Sequence, residues 1–180
     1  MVLAIAIPAG AQPRAIDTAH STMTVLVGKT GAFSMMGHDH VVAAPIAKGA
    51  VDPSAHTVEL QVAAASLRVT DEHVSDKDRA QIQQTMVGPQ VLDASRFSDI
   101  VFRSTAAEAA GAGSWNVRGN LTLHGSTQSV TCAVREASGH YTGTVRFKQS
   151  EFGIKPVAVA GGAVRVKDEV QIQFDIQLAH

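Results

Sequence analysis

Residues 170–178 read Val170-Gln171-Ile172-Gln173-Phe174-Asp175-Ile176-Gln177-Leu178, and this stretch decides the fold. Apolar and polar side chains alternate without a break along it. Successive side chains of an extended chain point to opposite faces, so the segment is a strand with one apolar face and one wet face. A helix would scatter the same apolar groups around its axis.

The alternation recurs on either side. Val58, Leu60 and Val62 are opposed by Thr57, Glu59 and Gln61. Trp115, Val117, Leu121 and Leu123 alternate with Asn116, Arg118, Asn120, Thr122 and His124. Gly119 falls in the inward phase of that segment, where it permits a bend or a close approach. Further strands are expected at 21–28, 33–42, 46–51, 100–105, 127–135 and 141–150. Turn signals separate them at Asp52-Pro53-Ser54, Gly111-Ala112-Gly113, Gly125-Ser126 and Ser138-Gly139.

The middle of the chain breaks the rhythm. Ser75-Asp76-Lys77-Asp78 has the form of a capping box and opens an amphipathic run to about Met86, with Ile82 and Met86 four apart on one face. Gly88-Pro89 stops it, and a short turn around Leu92 to Arg96 leads into the strand at Ile100. About eight strands with no βαβ rhythm indicate an all-β antiparallel sandwich or barrel carrying a short helical insertion. Closure into a barrel removes exposed edges, which this chain has few charges to protect. No linker or repeat divides residues 12–180, which are expected to form a single domain.

Composition narrows the function. The chain is 45% hydrophobic but only 4% aromatic, so its apolar residues are mostly small. Its net charge of −1 provides no electrostatic footprint for nucleic acid and no polybasic membrane patch. The single cysteine, Cys132, excludes an intrachain disulfide and any multi-cysteine metal motif, and reads as a buried small hydrophobe. Residues 1–11, Met1-Val2-Leu3-Ala4-Ile5-Ala6-Ile7-Pro8-Ala9-Gly10-Ala11, end in the small-x-small pattern that precedes signal cleavage. They are expected to be the remnant of a cleaved signal peptide, which implies an exported, periplasmic protein. The stretch is shorter than the about 20 residues a spanning helix needs, so no integral membrane span is expected.

Signatures for nucleotide binding, serine hydrolysis and zinc proteolysis are missing, and no catalytic residue is assigned. The sharpest local feature is Gly37-His38-Asp39-His40. On a strand His38 and His40 project from one face, and His124, at the end of another strand, is the candidate third ligand for a metal. The competing reading is of strand-end histidines hydrogen-bonded to Asp39 or to nearby backbone.

Three stretches together resemble the YceI-like family. They are Ile16-Asp17 with His20-Ser21 at the first strand, Gly119-Asn120-Leu121-Thr122-Leu123-His124-Gly125-Ser126-Thr127, and Ser150-Glu151-Phe152-Gly153-Ile154. Arg79 and the stretch from Phe97 to Phe102 follow in the expected order, and the resemblance covers about residues 14 to 179. The His-Asp-His form looks like one branch of the family. At Val27-Gly28-Lys29 the chain departs from the hydrophobic-His pattern that the family's first strand more often carries. The resemblance implies an eight-stranded, lipocalin-like antiparallel β-barrel with the helical segment beside or capping it. It implies an exported protein, with no catalytic activity, that holds a long isoprenoid or fatty-chain lipid, or a quinone, inside.

The residues agree with such an interior. Val25 and Val27, then Val58, Leu60 and Val62, are expected as wall residues. So are Leu121, Leu123 and Phe147, with Ile172 and Phe174 from the final strand. Phe33, Met35 and Met36 are expected to form an adaptable mouth, because methionine fits varied chains. Ten buried methylenes would contribute about 8 kcal/mol before ordering costs, enough for micromolar binding. A homodimer would serve to cover an apolar opening. The alternative function is a metal-binding or metal-dependent site on His38, His40 and His124.

Overall fold

The structure, a computed structural model, describes residues 12–30, 39–159 and 164–179. The signal-like stretch 1–11 and the expected mouth and ligand residues Phe33, Met35, Met36 and His38 lie outside these residues.

Twelve strand segments are present among the described residues. They are β1 (Arg14–Ala15), β2 (Thr22–Thr30), β3 (His40–Ala43), β4 (Ile46–Asp52), β5 (Thr57–Ala63), β6 (Arg68–Val69), β7 (Asp99–Gly111), β8 (Ser114–Leu123), β9 (Ser126–Ala137), β10 (His140–Lys148), β11 (Ala158–Val159) and β12 (Val164–Gln177). The α-helix among the described residues is α1 (Asp76–Val87).

Eleven of these segments occupy eight strand positions, and the twelfth, β11, lies off the ring and pairs with β12. β1 and β2 are two limbs of one bent strand, and β3 and β4 are two limbs of the next, with Pro45 at the corner. Proline has no N–H to give to a ladder, so the corner falls where pairing would otherwise be lost. The third bent strand is β5 with β6, joined by a 3-10 turn at Ala64–Ser66. Limb pairs with limb, β2 with β3 and β1 with β4, then β4 with β5 and β3 with β6. From β5 the sheet runs through β7, β8, β9, β10 and β12, and β12 returns to β2. All these pairs are antiparallel.

The other limb is stitched at the chain ends. Ile16 bridges Leu178, the Asp17 N–H donates to the Gln177 carbonyl at 2.8 Å, and the Ala179 N–H donates to the Ala15 carbonyl at 2.8 Å. The sheet therefore curls back upon itself, and the expected eight-stranded antiparallel barrel is the fold. Three of the four extra segments arise because each bent strand is interrupted at its corner, and the fourth is β11.

The core is the concave face of this sheet. Val42, Val62, Val117, Leu121 and Val130 are buried there, with Phe152 fully enclosed against Phe147. The helix begins and ends where the sequence predicts. Ser75 Oγ accepts from the Asp78 N–H at 3.1 Å, and the Gly88 N–H donates back to the Gln84 carbonyl. None of its residues is buried, so α1 lies on the barrel rather than within it. Gln83 anchors it, accepting from the Val69 N–H at 2.9 Å and donating to the Leu67 carbonyl at 2.9 Å.

Candidate functional site: the barrel interior

Inward side chains enclose two cavities. The first, of about 440 Å³, has Val58, Leu60, Val62 and Phe174 in its wall, together with Phe102, Val117 and Val134. Its mouth carries Asp52, Pro53, His56, Trp115 and Glu136, and the His56 ring lies 4.3 Å from the Trp115 ring, centroid to centroid. The second, of about 450 Å³, is walled by Val25, Val27, Leu123, Phe147 and Val170, and α1 contributes Ile82 and Met86. Lys29, His40, Gln81, Thr85, Gln149 and Arg165 are the polar residues along it. Ile100, Leu121 and Ile172 line both cavities, so the two abut at a shared apolar waist.

The ten expected wall residues that fall within the described chain are thus brought together around this interior. Period-two counting placed them because each strand shows one face inward. It left unassigned the residues that reach the interior from elsewhere. Ile82 and Met86 come from α1, and Ile100 and Phe102 from β7. Lys29 was left unassigned too, although it continues the inward row of Met23, Val25 and Val27.

Glycines help to keep the interior open. A Cβ at Gly119 would collide with the Phe102 ring, and one at Gly143 would lie 2.5 Å from Phe174 Cζ. Both rings rest against bare backbone, close to the wall. At Gly119 the β7–β8 register also shifts, between Ser104 and Ala106, so the glycine serves bend and close approach together.

The histidines take separate roles. His40 stands opposite Val27, and its Nδ1 donates to Asp71 Oδ2 at 2.7 Å. Asp71 is 4% exposed, and its other oxygen accepts from the Val41 N–H. The partner of His40 is therefore Asp71 rather than the adjacent Asp39, whose carboxylate accepts from the Lys29 N–H at 3.2 Å. His124 lies in the turn of the β8–β9 hairpin rather than on the strand, at φ 51, followed by Gly125 at φ 74. Positive φ at both central residues is the twist a two-residue hairpin turn requires. Its Nδ1 lies 3.3 Å from the Phe152 carbonyl oxygen, and its ring packs edge-on against Phe97. Among the described residues no group of three or more His, Cys, Asp or Glu side chains is placed to hold a metal ion.

Cys132 is a wall residue of the first cavity, as its apolar strand predicts. Burial pushes its thiol up to about 11, and the group donates a weak hydrogen bond to the Val117 carbonyl. A thiol held protonated is a weak nucleophile.

Comparison with known proteins agrees with this architecture. The YceI-like domain model matches residues 15–178. A UPF0312 protein of Shewanella putrefaciens strain CN-32 is 30% identical over 159 residues, spanning 82% of this chain and 79% of that one. A UPF0312 protein of Shewanella sp. strain W3-18-1 is 29% identical over 165 residues, with 85% and 82% covered. The crystal structure of Burkholderia cenocepacia BcnA superposes with a TM-score of 0.67 at 22% identity, over 92% of this chain and 99% of that one. The Campylobacter jejuni YCEI protein gives 0.52 at 13% identity, over 77% and 81%. At these identities the solved structures speak for the fold alone.

Proposed function

This chain belongs to the YceI-like domain family, and from that premise we propose that it carries or sequesters one long-chain apolar lipid, isoprenoid or fatty-acid-like, inside its barrel without catalysing a reaction. The observation that carries the reading is the pair of apolar cavities meeting at Ile100, Leu121 and Ile172. Each cavity falls within the roughly 300–1,000 Å³ typical of small-molecule sites. Together they form an elongated interior with apolar walls, suited to a chain rather than a compact polar ligand.

The energetics follow from burial. Each methylene taken from water contributes about 0.8 kcal/mol, and a preformed barrel loses little of this to its own ordering. Recognition of the chain then rests on shape and apolar contact, consistent with an overall charge of −1. We place this activity in the periplasm, on the strength of the signal-like sequence at 1–11. No helix among the described residues is long and apolar enough to cross a membrane.

Native mass spectrometry of protein purified gently from a bacterial host, followed by organic extraction, tests the proposal. One chain lipid per protein molecule is expected. Pure, stable protein that carries no lipid and retains no long-chain probe contradicts it.

A further inference from the structure

The two mouths of the interior differ in charge. At the first, Asp52 and Glu136 are the charged residues, and no Lys or Arg is among the described residues lining that cavity. Asp52 caps its own turn by accepting from the Ser54 and Ala55 N–H groups, both at 2.9 Å. At the second, Lys29 and Arg165 line the cavity.

The acidic groups at this second mouth have partners. Asp71 is occupied by His40 and by the Val41 N–H, and Asp39 accepts from the Lys29 backbone. Asp168 accepts from both the N–H and the hydroxyl of Ser150. The Lys29 ammonium stands apart from these in kind. It ends an inward row, Met23-Val25-Val27-Lys29, whose other members are apolar wall. It is half-buried, and opposite it across the β2–β12 pair is Val166, which also lines the cavity. Gln149, buried, and His40 flank the same cavity, and the donation of His40 Nδ1 to Asp71 leaves Nε2 as the ring's remaining polar atom.

We propose that the second mouth is a headgroup site for an anion, carboxylate or phosphate, on the end of a single apolar chain. This rests on the chain-binding reading above. The tail runs past Ile100, Leu121 and Ile172 toward Trp115, and the acidic first mouth repels the head and so fixes the direction of entry. A charge-assisted hydrogen bond is short and strong, and it strengthens where apolar walls lower the local dielectric. The ligand is an anionic amphiphile.

The test compares matched probes that differ only in the head: hexadecanoic acid against hexadecanol, and geranylgeranyl phosphate against geranylgeraniol. Affinities are measured by displacement of a fluorescent chain probe from the full chain. Wild type should prefer an anion over its alcohol by about tenfold or more, and the pair with the larger ratio identifies carboxylate or phosphate as the head. Lys29→Met with Arg165→Met should narrow the ratio to about twofold or less, since the apolar contacts alone remain. A cooperative thermal transition like that of wild type reports that the double variant is folded, whereas Arg103→Met, which removes an exposed cation paired with Glu59 and lining neither cavity, should leave the ratio as it was. Equal binding of acid and alcohol by wild type overturns the headgroup site while leaving the chain reading intact. So does a preference that survives the double variant. Failure of wild type to bind any of the four probes overturns both.

Discussion

Phe174 covers the bare backbone of Gly143, its partner across the β10–β12 pair, so that a methyl group at Gly143 would lie 2.5 Å from the ring's Cζ. On β7 and β8 the Phe102 ring likewise covers Gly119, reaching it diagonally because the register partner of Phe102 is Leu121. In each case an aromatic ring occupies the space that a neighbouring side chain would have filled, and the interior stays open. Gly143→Ala also meets the Ala133 carbonyl, so it should destabilise the fold by about 1–3 kcal/mol, as overpacking does. Chemical denaturation measures this. Adding Phe174→Leu should restore part of the loss, and a Gly143→Ala variant as stable as wild type would show that the ring is free to move away.

Gln83 is the tie between α1 and the barrel. Its two hydrogen bonds to the Leu67 and Val69 backbones should contribute about 1–3 kcal/mol in all. Gln83→Ala should speed amide hydrogen exchange in α1 well before it affects β8, because the helix's apolar contacts with the core, Ile82 and Met86, are only partly buried. Since Ile82 and Met86 wall the second cavity, ligand release should quicken as well. Exchange in α1 indistinguishable from wild type would remove this role.

Cys132 supplies a reporter inside the first cavity. Burial pushes the thiol up to about 11, and only the thiolate attacks a disulfide reagent. At neutral pH the folded protein should therefore carry roughly a hundredfold less thiolate than the unfolded chain. The stability tied to this group is full below the unfolded pKa and is lost as pH rises through the folded one. Reaction with an aromatic disulfide should be slow in the native protein, slower with hexadecanol bound, and fast in denaturant. Rapid native labelling would mean that the cavity wall opens.

The strands were legible because a half-buried strand writes its two faces into alternate residues, as in Val170 to Leu178. The continuation of β7 through Ala106 to Gly111 was not, since a run of alanines with Glu108 has no apolar period. Nor were β1, β6 and β11, two residues each, whose pairing is set by neighbouring strands and not by their own pattern. The helix was legible from its capping box, the four-residue spacing of Ile82 and Met86 and the Gly88-Pro89 stop. The His40–Asp71 pair spans 31 residues of sequence, a separation that local patterning does not see. Within the interior, counting along strands found the apolar walls, while the difference in charge between the two mouths required the strands to be closed into a ring.

Ser150 and Asp168 fasten the turn after β10 to β12. The Ser150 hydroxyl donates to Asp168 Oδ2 at 2.6 Å and its N–H to Oδ1 at 2.9 Å. The serine hydroxyl holds the Asp168 carboxyl below its usual value. A depressed folded pKa means that the stability is present above the unfolded pKa and is lost as pH falls through the folded one. Asp168→Asn should accordingly lower the thermal midpoint at neutral pH, and the gap from wild type should close in acid. A gap that is constant with pH would assign the effect to shape rather than charge.

The central claim, that an apolar chain lies buried along the barrel, is tested most directly by calorimetric titration with a homologous series of n-alkanols. Affinity should rise by about fourfold per added methylene, corresponding to about 0.8 kcal/mol, and level off once the chain fills both cavities. Affinity that does not change with chain length, or no binding at any length, would contradict the account.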